Sequence, residues 1–296
     1  MNYVATHHLP TTDQWESMLW RIRNEKCVPF LGAGASLGTA DHPGLPTAAV
    51  LAEDLARICN YPGPDKSDLL RIGQYFSLVK DPRDLQDMIV SKLRQRKVVP
   101  SVVHETLANL PLPLVLTTNF DELMEQAFKD AGKAPTLAVY DVHGDKTDLP
   151  RPTVNEPLVY KLHGCVTRPH TIAATEDGVI EFLSSLMRGE PGLPGTIKQM
   201  FALSSLIFIG YGLKDWNVRV MLRAFRGWQP GRSQERSVDL SSYAVQKRPD
   251  NDALAIEWQT AVMYLDRREG IQCFDMDANA FATELKRRYD AGEGIR

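Results

Sequence analysis

At 296 residues, 43% of them hydrophobic and 24% charged, the chain is long enough to bury a sizeable core, and its net charge of −3 leaves no basic field to draw it to nucleic acid or an anionic membrane. No apolar run approaches the roughly 18 residues needed to span a bilayer, and the opening "MNYVATHHLP" lacks the charged-then-apolar pattern of a signal peptide. A soluble, cytoplasmic protein is therefore expected.

In chain order, "TDQWESMLWRIRNEK" (12–26) reads as an amphipathic helix, with a Thr/Asp start and Trp15, Leu19 and Ile22 at i, i+4 and i+7. "CVPFLGAG" follows as a short buried strand running into glycine. Residues 47–109 are helical in pattern. "LPLVLTT" (112–118) is then a strand, and "DELMEQAFKDAG" is a helix with Leu123, Met124, Ala127 and Phe128 on one face and Gly132 as its stop. "PLVYKLHG" (157–164) and "SLIFIGYG" (205–212) are further strands. After the latter, "DWNVRVMLRAF" is a helix capped by Asp215, with Val218, Leu222 and Phe225 on one face. "SYAVQK" (242–247) and "IQCFD" (271–275) read as strands, each followed by a helix, over 252–270 and 278–292. The stretches 189–195, "GEPGLPG", and 229–238 read as surface loops.

Strands alternating with helices imply an α/β, Rossmann-like, doubly wound parallel sheet with a helical insertion. One domain over 1–296 is expected, with its core at 12–46 and 110–296 and the insertion at 47–109. The four cysteines, Cys27, Cys59, Cys165 and Cys273, contain no C-x-x-C pair, so buried thiols are expected rather than a metal site.

Ligands of open parallel sheets bind at the carboxyl ends of the strands. Four strands here end in unusual residues: Gly32-Ala33-Gly34-Ala35-Ser36, Thr118-Asn119-Phe120-Asp121, His163-Gly164 and Gly210-Tyr211-Gly212. In a parallel sheet these ends share one edge. The glycines of "GAGAS" let backbone approach a phosphate and Ser36 can donate to it, but a tight strand-to-helix turn needs the same residues. His163 reads either as a base or as a structural histidine. Asn119 and Asp121 read either as site residues or as a turn with a helix cap.

Together these motifs resemble the sirtuin superfamily, whose members carry, in this order, a Gly-Ala-Gly-x-Ser loop, a Thr-Gln-Asn-Ile-Asp strand end and a His-Gly. "GLPT" (44–47) and "IFIGYGLKDWNVR" (207–219) are similar to the sirtuin-like domains of bacterial anti-phage defence, so the resemblance covers nearly the whole chain. The departures matter as well. Only Cys165 lies where deacylase sirtuins have a four-cysteine zinc module, the Pro-Asp-Phe-Arg segment is replaced by "GLPTAAVLAEDL", and Thr118 stands for Gln.

The resemblance implies a toxic effector that hydrolyses NAD to nicotinamide and ADP-ribose, with NAD as substrate, no cofactor and no zinc. In that reading Asn119 holds a ribose hydroxyl or the attacking water, and His163 is the base. Asp121 serves the nicotinamide end, the Gly32–Ser36 amides hold the pyrophosphate, and Gly210 and Gly212 contact the adenosine half. An NAD-dependent deacylase or ADP-ribosyl transferase, or a non-catalytic NAD or ADP-ribose sensor, are the alternatives. A chain of this length leaves no room for a separate sensor domain, so restraint is expected from self-association or a second protein. The resemblance suggests an ATPase of the HerA type. The apolar faces within 47–109 pack either on one another or, in part, against a second copy.

Overall fold

The computed structural model of the chain describes residues 9–38, 43–94, 98–144, 148–212, 216–226 and 241–295. Helix α1, Thr12–Arg23, starts at a capping box in which Thr11 Oγ1 accepts from Gln14 N and Gln14 Oε1 accepts from Thr11 N, at 3.3 and 2.8 Å. It buries Trp15, Leu19 and Ile22 as their spacing predicts, and leads into β1, Cys27–Leu31, all five residues of which are buried. A 3-10 turn over Ala33–Ser36 follows. Next come α2 (Ala48–Ile58), α3 (Leu69–Val79), α4 (Pro82–Arg94) and α5 (Val102–Ala108). The chain then runs through β2 (Leu114–Thr117), α6 (Leu123–Asp130), β3 (Thr136–Val139), β4 (Leu158–Lys161), α7 (Glu176–Arg188), α8 (Gly195–Ala202) and β5 (Ser205–Ile209). It closes with α9 (Trp216–Arg226), β6 (Ser242–Val245), α10 (Asp252–Tyr264), a π-helical turn over Leu265–Glu269, β7 (Ile271–Phe274) and α11 (Ala278–Asp290).

Among the described residues seven strands form one wholly parallel sheet in the order β3-β4-β2-β1-β5-β6-β7. This is the doubly wound, Rossmann-like α/β architecture expected from the alternation of strands and helices. Side-chain alternation sends Phe30, Leu116, Tyr160 and Phe208 to one face, where they meet Phe182, Ile197 and Trp258 of α7, α8 and α10. Leu31, Val115, Val159 and Ile207 point to the other face, against Leu19, Leu107, Phe128 and Phe281 of α1, α5, α6 and α11. The chain leaves β1 toward β2 and later returns to β5 on its opposite side. The reversal therefore falls beside β1, and the carboxyl ends of β4, β2, β1 and β5 are neighbours on one edge.

The helical stretch 47–109 divides in two. Leu51, Leu55, Ile72, Phe76, Leu85 and Ile89 of α2, α3 and α4 form a cluster of their own, joined by Ile172 and Ala174 from the segment after β4. A Cβ on Gly73 would lie 2.0 Å from the Ala174 carbonyl oxygen, so α3 rests directly on that backbone. Helix α5 belongs instead to the sheet layer, through Val103 and Leu107. The outcome is a three-helix layer standing over the carboxyl edge of the sheet.

Strand β3 and helices α7 and α8 come in addition to the elements anticipated. The stretch 189–195 is not a surface loop: Gly189 ends α7 at φ 76°, but Gly192, Leu193 and Pro194 are buried, with Leu193 in the main core between α7 and α8. An apolar anchor inside a Gly/Pro-rich connection pulls it inward. Leu222 is buried as its spacing predicts, whereas Asp215, the side chains of Val218 and Phe225, and the loop 229–238 lie outside the described residues. All four cysteines are buried free thiols. Among the described residues no helix is long and apolar enough to cross a membrane.

Candidate active site

Each strand end delivers its residues for a local reason. Where β1 stops, Gly32 N donates to Ile209 O and Gly34 N to Gly210 O, at 2.9 and 2.8 Å, so the turn runs hard against the end of β5. A Cβ on Gly32 would sit 2.6 Å from Gly210 O, and one on Gly210 would sit 2.2 Å from Ala35 N, at a φ of 78°. These glycines serve a backbone-to-backbone contact between adjacent strand ends. With Ala35 N donating to Gly32 O at 3.0 Å, three amides of the expected phosphate cradle are engaged inside the protein. Ala33 and Ser36 are the members of that turn that line the cavity described below. Gly210 and Gly212 are not among its lining residues.

At the end of β2, Thr117 Oγ1 donates to Leu31 O and accepts from Asn119 N, both at 2.9 Å, which turns the chain sharply after the last strand residue. The Asn119 carboxamide is buried. Its Nδ2 donates to Gly32 O at 3.1 Å and to Ser36 Oγ at 3.2 Å. Those two bonds fix which end of the amide is which, and Oδ1 is left as an acceptor with no hydrogen bond among the described residues. Ser36 Oγ donates in turn to Asp121 Oδ2 at 3.0 Å, and Asp121 Oδ1 accepts from Leu123 N at 3.0 Å. Asp121 thus binds the first amide of α6, one residue ahead of the N-cap Glu122, and is a member of the polar chain Asn119–Ser36–Asp121. Thr118 bonds Tyr211 Oη at 2.8 Å, tying the ends of β2 and β5 together.

Beyond β4, Ala173 N donates to His163 O at 2.9 Å. Gly164 adopts φ 102°, and a Cβ there would meet Thr171 O at 2.3 Å, so the His-Gly pair is needed for the returning segment to close over it. The half-buried imidazole meets Phe182 edge to face at 4.9 Å and makes no hydrogen bond among the described residues. Burial pushes its pKa down to about 4, so the ring is neutral at pH 7 and keeps a lone pair to accept a proton.

A cavity of about 500 Å³ joins these groups. Ser36, Thr118, Asn119, Asp121 and His163 form its sheet side, while Leu45, Leu51, Leu70 and Leu93 are among the residues of its helical side. Its size falls in the range of small-molecule sites, and apolar walls around a few convergent polar groups are what such sites share.

Two further polar groups lie beneath this surface. Lys161, 1% exposed, donates from Nζ to the Asp121 carbonyl oxygen and lies 3.0 Å from Glu125 Oε1. His104 is buried, and its Nδ1 accepts from Ser101 N at 3.1 Å while Ser101 Oγ donates to Ala35 O at 2.7 Å. Burial lowers the His104 pKa to about 4, with Asp121 opposing the shift and Lys161 adding to it. A lysine inside the apolar run "LVYKL" is the sequence signal that marks the first group. The second has none, because its role depends on α5 lying against the β1 turn.

A parallel, doubly wound sheet with a polar cavity at the strand ends beside its reversal point defines a Rossmann-like protein. More narrowly, a family model described as "SIR2-like domain" matches residues 113–265, and the chain belongs to that family. It is 25% identical over 213 residues to "NAD(+) hydrolase ThsA" of Cytobacillus dafuensis, a match covering 71% of this chain and 40% of that protein. It is 26% identical over 207 residues to the protein of the same name from Bacillus cereus (strain MSX-D12), covering 69% and 41%. It is also 27% identical over 216 residues to "Defense-associated sirtuin 2" of Bacillus subtilis, covering 70% and 20%. The chain thus spans less than half the length of each of these relatives.

Proposed function

We propose that the chain is an NAD hydrolase that splits the bond between nicotinamide and ribose to give nicotinamide and ADP-ribose. One observation carries this reading: the Asn119 carboxamide and the neutral His163 imidazole line the same cavity at the ends of neighbouring parallel strands. Cleavage develops positive charge at the ribose carbon, and nicotinamide leaves readily, so the protein's task is to orient water and accept a proton. Asn119 Oδ1, aimed by the two Nδ2 bonds behind it, accepts from a ribose hydroxyl or from the attacking water, and a carboxamide cannot become a competing nucleophile. His163 takes the proton. Ser36 and Asp121 hold Asn119 in place. Apolar residues of the helical wall, Leu45, Leu51, Leu70 and Leu93, border these contacts and lower the polarity around them, which strengthens each.

The names of the relatives support NAD as the substrate and a role in defence. We extend the reading to a toxic effector that depletes cytoplasmic NAD in anti-phage defence, held in check by self-association or by a partner such as a HerA-type ATPase. The placement of the cysteines supports hydrolysis without zinc rather than acyl-lysine chemistry. Cys27 lies on β1, Cys59 follows α2, Cys165 follows β4 and Cys273 lies on β7. Incubating the purified chain with NAD and following nicotinamide tests the reading, with Asn119→Ala as the inactive control.

A further inference from the structure

Lysines are almost never fully buried unless paired, and Lys161, buried at the carboxyl end of β4, the second strand from the sheet's edge, lies opposite Thr117 of β2. Its ammonium donates to the Asp121 carbonyl, at the Asn119–Asp121 turn, and meets Glu125 in the first turn of α6. Beyond this ion pair no group among the described residues bonds the buried Glu125 carboxylate. The same turn is held from the cavity side by the chain Asn119–Ser36–Asp121. It is therefore clamped on both sides, by its side chains above and by one backbone carbonyl below. A buried ion pair adds little net stability over two apolar side chains of the same shape. A directed bond to one carbonyl oxygen is what apolar side chains cannot supply.

We propose that Lys161 is a positioning residue for the reaction: its buried amine, balanced by Glu125, holds the Asp121 carbonyl and so sets the angle at which Asn119 and Asp121 meet the cavity. The kinetic readout rests on the NAD-cleavage reading above, and a second readout does not. The test compares Lys161→Met/Glu125→Leu, which removes both charges at similar volume, with Glu125→Gln, which keeps an amine that donates to Asp121 whether charged or neutral. Hydrogen exchange of the peptide over 118–124 is measured against that of α11, alongside kcat and KM for NAD. In the double variant we expect the turn to exchange at least ~10-fold faster with α11 unchanged, and kcat to fall at least ~10-fold with KM within ~3-fold. Glu125→Gln should keep kcat within ~3-fold and leave the turn's exchange unchanged. Unchanged turn exchange in the double variant, or an unchanged kcat, overturns the proposal. If the double variant does not fold, Glu125→Gln decides, because a ~10-fold loss there makes the charge pair rather than the carbonyl bond the relevant feature. If the wild-type chain does not cleave NAD, the hydrolase reading fails and the exchange comparison alone decides the role of Lys161.

Discussion

Asn119→Ala separates chemistry from folding. The side chain is 9% exposed and makes two hydrogen bonds, to Gly32 O at 3.1 Å and Ser36 Oγ at 3.2 Å, so its removal is not free. Neither partner is orphaned, however. Gly32 O still accepts from Ala35 N, and Ser36 Oγ still bonds Asp121. The loss is then about the net worth of two ordinary hydrogen bonds, about 1–2 kcal/mol, against a total stability of about 5–15 kcal/mol for a folded domain. A melting temperature lower by about 2–3 °C is expected, with the chain fully folded at 25 °C. Activity should fall far more, by about 10²-fold or greater, equivalent to about 2.7 kcal/mol of transition-state stabilisation. Nicotinamide release at 25 °C and a thermal melt on the same preparation measure both quantities. A folded variant that cleaves NAD within a few-fold of wild type would refute the role given to the Asn119 carboxamide.

His163→Ala should abolish cleavage while retaining ADP-ribose binding by calorimetry. Because burial lowers the His163 pKa to about 4, the base stays unprotonated through mild acid, and the wild-type rate should hold from pH 7 down to about pH 5. A half-maximal rate near the ordinary histidine value of about 6.5 would assign the proton to another group. His104, also held near 4, binds its proton more weakly folded than unfolded, so the stability it contributes is present above about 6.5 and is lost as pH falls toward 4. For this one side chain the loss between pH 7 and pH 5 is about 2 kcal/mol, read by urea melts at the two values, and His104→Gln should flatten the slope. Gly210→Ala combines φ 78° with a Cβ 2.2 Å from Ala35 N, and should cost about 3 kcal/mol or more. A melt within two degrees or so of wild type would show that the β1–β5 contact yields easily.

Much of the architecture was legible because strong local patterns agreed with it. The apolar runs ending in Gly32, Asn119, His163 and Gly210 are adjacent β1, β2, β4 and β5, and their convergence follows once the sheet is parallel. Strand β3 was not legible, being a four-residue edge strand with no fully buried residue. The i, i+3, i+4, i+7 spacing of Val179, Phe182, Leu183 and Leu186 does mark α7, whereas α8 depends on the burial of Leu193, a tertiary event. Glycine-rich sequence announces close approach but not what approaches. Here it is the end of β5, with Ala33 and Ser36 facing the cavity. The sequence marks His163 as a candidate base but not its lowered pKa, which follows from its surroundings, Phe182 among them. The Lys161–Glu125 pair joins residues on separate elements, so the lysine was visible in the strand but its partner was not.

The central claim is that this cavity hydrolyses NAD, and it is tested most directly by incubating purified wild-type chain with NAD over a protein dilution series. Nicotinamide and ADP-ribose are quantified together by chromatography, beside folded Asn119→Ala and His163→Ala. Equimolar release of the two products by wild type, absent in both variants, is the predicted result. Release no faster than that of the two variants at every protein concentration would contradict it.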